Sequence, residues 1–99
     1  TVVNSVDGYM IELEDAWIPT LSVRYDARRA ILWLEATEKS GKTTPFLAVR
    51  NADAAQDTGA VVGYDFEPLA GDKLLQIWYD ANDYHLDAEK ISYMLVPFS

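Results

Sequence analysis

The chain has no cysteine and a single histidine, His85. Without thiols there are no disulfides, thiolate nucleophiles or thiolate-zinc sites. With one imidazole, any transition-metal site would have to be built mostly from carboxylates. Neither Gly-x-Ser-x-Gly nor His-Glu-x-x-His occurs, so no sequence motif supplies His85 with a nucleophile or a zinc ligand partner. Apolar runs extend over only a few residues, far short of the ~20 that a membrane-spanning helix requires. Thr1–Ser5 carries neither the basic nor the apolar region of a signal peptide.

Positive charge is also scarce, and unevenly so. Residues 1–50 hold seven acids and six bases, whereas residues 51–99 hold nine acids against Lys73 and Lys90, which places −7 of the net −8 in the second half. A surface of that sign repels phosphate backbones and anionic headgroups, so neither nucleic acid nor membrane is expected as a partner. Cationic proteins, metal ions and neutral ligands remain compatible with it.

What is present is a globular composition. The 99 residues are 49% apolar and 12% aromatic, too apolar for disorder and enough for one core in one domain spanning 1–99. Tyr9, Ile11 and Leu13 alternate with Glu12 and Glu14, the period of a half-buried strand. Trp17, Pro19, Leu21, Val23 and Tyr25 form a longer alternating run, with Pro19 marking an edge, a bulge or the point just before regular pairing begins. Ala30–Thr37 is apolar on both faces; Glu38–Lys42 is a hairpin connector with Gly41 for a positive φ; Thr43–Arg50 returns. Asn51–Gly59 reads as a loop, Ala60–Phe66 as a short strand and Glu67–Lys73 as a turn. Two further β-like runs, Leu74–Tyr79 and Ile91–Phe98, flank an acidic loop, Asp80–Asp87. Seven β-like segments without a long helix predict an all-β domain, an antiparallel β-sandwich or small barrel. The runner-up is α+β, with a helix near Asp53–Gln56 or Asp83–Lys90.

The acidic loop is the candidate site. Asp80, Asn82, Asp83 and Asp87 offer hard oxygen ligands of the kind calcium takes. Their spacing is not that of an EF-hand, because Tyr84 and His85 stand where Asp or Asn and then Gly are required. A non-EF calcium site could borrow Asp7, Asp65 or Asp72 from elsewhere in the chain, and no cofactor is expected otherwise. Trp78 and Tyr84 place aromatic faces beside these acids, with Tyr84 expected to be exposed. Adjacent strand residues point to opposite faces, so at least one of Trp78 and Tyr79 belongs to the core.

The expectation is a binding module rather than an enzyme, with ligand-binding residues Trp78, Asp80, Asn82, Asp83, Tyr84 and Asp87. Its partner would be a protein with a basic surface, steered by complementary charge. The alternative is a carbohydrate-binding module or lectin, calcium-assisted or not. A small carboxylate-based enzyme is third, because paired carboxylates alone can cleave glycosidic bonds. Homo-oligomerisation, with the less acidic first half meeting the acidic second half, is a further expectation.

Overall fold

A computed structural model describes residues 1–69, 75–81 and 84–97. The order of elements is β1 (Val2–Asn4), β2 (Tyr9–Ile11), a 3₁₀ segment (Asp15–Thr20), β3 (Leu21–Asp26), β4 (Ile31–Thr37), β5 (Thr43–Asn51), β6 (Glu67–Pro68), β7 (Leu75–Tyr79), α1 (Ala88–Met94) and β8 (Leu95–Pro97). The strands form two antiparallel sheets, three-stranded β1-β2-β8 and five-stranded β3-β4-β5-β7-β6. The fold is all-β and sandwich-like.

The β4–β5 hairpin is the centre of the larger sheet. Both strands are buried over most of their length, because each face of the sheet is covered. One face carries Leu32, Leu34, Leu47, Val49, Leu75 and Ile77 and meets Tyr9 and Ile11 of β2, Ile91 and Met94 of α1, and Leu95 of β8. The other face carries Ile31, Trp33 and Ala48 and is covered by Val61, Tyr64 and Phe66 from the 52–66 loop. The register slips between Leu34 and Glu35, which pair with Leu47 and Pro45. Phe46 is therefore the extra residue of a β-bulge, and it lies in the same core as its neighbour Leu47.

Several expectations are corrected. The Trp17–Tyr25 strand begins only at Leu21, because Asp15–Thr20 coils into a 3₁₀ segment with Pro19 inside it; Trp17 N–H donates to Glu14 C=O at 3.0 Å and leaves no extended register there. Ala60–Phe66 is reduced to a single bridge between Val61 and Tyr64, closed by a tight turn in which Gly63 has φ +88. The Glu67–Lys73 turn opens with the two-residue strand β6, paired to β7; residues 70–74 lie outside the described set. The largest correction concerns Ile91–Phe98. Its first half is helical, Leu95–Pro97 is extended, and Phe98 lies outside the described residues. Consequently the acidic loop does not close a hairpin: β7 and β8 belong to different sheets.

Candidate functional site

The acidic residues of 80–87 have separate fates. Asp80 follows β7 directly, and its N–H donates to Phe46 C=O at 2.9 Å, extending the β5–β7 ladder by one bond. Asp87 accepts the Lys90 N–H at 2.7 Å and so is the N-cap of α1. Asn82 and Asp83 lie outside the described residues. His85 is exposed and has φ +52. Among the described residues, no three His, Asp or Glu side chains converge in a way that would hold a metal ion. Of the acids that a calcium site would borrow, Asp7 accepts hydrogen bonds from Asn4, Tyr25 and Asn51. Asp65 lies on the wall of a cleft on the loop-covered face, and Asp72 falls outside the described residues.

Tyr84 is half-buried rather than exposed. Its ring stacks on Phe46 at 4.2 Å between centroids and 17° between planes, and Trp17 meets both rings edge-on at 5.5 and 5.6 Å. The bulge explains the arrangement: by turning Phe46 toward the same core as Leu47, it supplies a ring for Tyr84 to lie on. Trp78 is not part of this cluster. It packs on the opposite face of the sheet, edge-on to Tyr64 at 4.7 Å and near Trp33 at 6.4 Å. Its neighbour Tyr79 packs against the main core, and its hydroxyl has a raised pKa from burial, then from the charge of Glu67 and donation to that carboxylate. Trp78 and Tyr84 are thus separated by the sheet.

Asp80 and Tyr84 do come together with a residue outside the acidic loop. They line a groove of about 200 Å³ with Glu38, Thr44, Pro45 and Ala36. Glu38 belongs to the β4–β5 connector, where its N–H donates to Lys42 C=O and its own C=O accepts from Gly41 N–H. The hairpin turn therefore brings Glu38 to the same groove as the end of β7. The Lys90 ammonium pairs with Glu14 and lies 5.5 Å from the Trp17 ring centroid.

A second concavity, of about 360 Å³, lies on the loop-covered face. Arg50 of β5, only 5% exposed, lines it together with Tyr64, Asp65, Phe66 and Gln76. Its guanidinium donates to Gly59 C=O at 3.0 Å and to Asp57 C=O at 2.5 Å, which ties the loop to the sheet. Asp57 has its carboxyl held below the ordinary range, chiefly by the Gly59 N–H and then by the charges of Arg28, Arg29 and Arg50. The sequence signal for this site is a charged residue ending the apolar run Phe46–Val49. No protein-family model matches the chain, and neither a curated protein nor a solved structure matches it.

Proposed function

We propose that the chain is a non-catalytic binding module that takes a basic side chain of a protein partner in the groove between the β4–β5 connector and the end of β7. The observation that carries this reading is the convergence of the Glu38 and Asp80 residues on a groove floored by Tyr84, in a chain of net charge −8. An aliphatic stem of Lys or Arg fits against Pro45, Ala36 and the Tyr84 ring while its charged head meets the two acids. Sugar recognition would draw on an open Trp78 face, and the packing of Trp78 against Trp33 and Tyr64 favours the protein-partner reading.

The test is a titration of the labelled protein with a short arginine-containing peptide, followed by backbone amide shifts. Saturable shifts at Glu38, Thr44 and Tyr84 are expected. The double substitution Glu38→Gln, Asp80→Asn should weaken binding roughly three- to tenfold, the scale of two partly screened ion pairs. Raising ionic strength from about 0.1 M to about 1 M, where the screening length falls from roughly 10 Å to 3 Å, should do the same to the native protein. Affinity indifferent to both changes would overturn the reading.

A further inference from the structure

Arg50 presents a buried cation without a buried anion. The residue is only 5% exposed, and its hydrogen-bond partners are two backbone carbonyls. Among the described residues the ion pairs are Arg24–Glu35, Arg29–Asp26, Arg29–Asp57 and Lys90–Glu14, so no described carboxylate pairs with Arg50. A guanidinium has five N–H groups. Two donate to Asp57 and Gly59, and the Nε–H is buried without any partner. The Asp57 carboxylate feels the Arg50 charge but pairs with Arg29; a buried charge so incompletely paired is costly, and the usual remedy is a bidentate carboxylate.

The position of this unpaired charge gives it a use. Arg50 forms part of the wall of the 360 Å³ cleft, which is at the lower end of the size range of small-molecule sites. The same wall offers the apolar surfaces of Val61, Tyr64 and Phe66 and the amide of Gln76. We infer that this cleft binds a small organic monocarboxylate with a flat or apolar body. The carboxylate accepts from the two terminal N–H groups of Arg50 that Asp57 and Gly59 leave over, Gln76 adds a polar contact, and the body lies against Tyr64 and Phe66. Asp65, exposed on the same wall, sets the limit on charge. A single negative charge is offset by Arg50, whereas a phosphate dianion leaves net repulsion from Asp65. The site is independent of the proposed protein-binding groove, with which it shares no lining residue.

Benzoate, benzamide and phenyl phosphate are the probes, titrated into the whole isotope-labelled chain. Benzoate is expected to give saturable amide shifts at Gly59, Ala60, Phe66 and Gln76. Benzamide, of the same shape but neutral, should bind at least about tenfold more weakly, the scale of a hydrogen-bonded charge pair. Phenyl phosphate should also be weaker than benzoate. Asp65→Asn, at an exposed position, should tighten benzoate binding roughly two- to fivefold by removing one repulsive charge. Arg50→Gln should abolish it; if that variant does not fold, the benzoate-to-benzamide ratio and Asp65→Asn decide. Failure of benzoate to saturate, equal affinity for benzamide, tighter binding of phenyl phosphate, weaker binding by Asp65→Asn, or shifts centred elsewhere would each overturn the inference.

Discussion

Asp7 sits where the two sheets meet and collects donors from both. Its carboxylate accepts Asn4 Nδ2 at 2.9 Å from β1, the Tyr25 hydroxyl at 2.9 Å from β3, and Asn51 Nδ2 at 3.4 Å from β5. Burial raises the Tyr25 pKa, and donation to Asp7 with its negative charge raises it further, to about 12. The Tyr9 hydroxyl, buried beside Asn4 without a well-formed hydrogen bond, is raised for the same leading reason. Both tyrosines hold their protons more tightly when folded than when unfolded. Their contribution to stability is therefore complete below pH ~10 and is lost as pH rises toward 12 and beyond. Denaturant midpoints measured across that range should fall steadily. Asp7→Asn should move the Tyr25 titration, followed by tyrosinate absorbance, part of the way back toward 10, and should cost about 1–3 kcal/mol through weakened donors. An unchanged Tyr25 titration would mean that burial alone sets its value. His85 is a second instructive residue. It is exposed with φ +52, a left-handed conformation that strains any side chain. His85→Gly should raise stability by about 0.5 kcal/mol, the relief of strain less the added entropy of the unfolded chain, as read by chemical denaturation.

Among the elements, α1 shows what local sequence holds and what it conceals. Asp87 caps the first turn, and Ala88, Glu89 and Lys90 are strong helix formers. Leu86 and Ile91, the two positions of a hydrophobic staple, are both buried in the main core. Asp87→Ala should cost about 1 kcal/mol, with loss of helical signal confined to one element; a change within measurement error would show the staple alone to be sufficient. All three signals are legible in the sequence, yet Ile91, Tyr93 and Val96 give the same stretch a β-like composition, and propensity cannot weigh the two. The β4–β5 hairpin carries no such conflict: two apolar runs and a glycine-bearing connector agree, and the structure follows them. The site is legible only in part, because its geometry is not local. Asp80 and Tyr84 are identifiable by type, but Glu38 reaches them across the sheet. Trp78 is held on the opposite face by Trp33 and Tyr64, which no nearest-neighbour pattern connects to it. The Phe46 bulge, which gives Tyr84 its stacking surface, leaves no mark on the alternation of β5 until its partner strand is known.

At the scale of the whole molecule, the five-stranded sheet divides two cores of unequal strength. The larger core is clamped between two sheets and α1. Among the described residues, the smaller, around Ile31, Trp33 and Ala48, is closed chiefly by the 52–66 loop, with the Arg24 guanidinium over the Trp33 ring. Gln56 and Asp57 donate their N–H groups to Arg28 C=O, Arg50 donates to Asp57 and Gly59, and Tyr64 and Phe66 pack edge-on near Trp33. Local opening follows the least-buried unit with the fewest hydrogen bonds, so this loop should open at lower free energy than the β4–β5 hairpin. Arg50→Gln removes one charged tether of the loop and leaves the Arg29–Asp57 pair in place. Amide exchange at Gln56, Asp57 and Tyr64 should then accelerate about tenfold or more, the scale of a lost hydrogen bond to a charged group, while the β4 and β5 amides keep their protection. Trp33 and Trp78 should gain access to a soluble fluorescence quencher, and Trp17, in the main core, should not. If protection of β4 and β5 falls in step with that of the loop, the two cores form one cooperative unit, and the sheet does not isolate the Arg50 cleft from the rest of the fold.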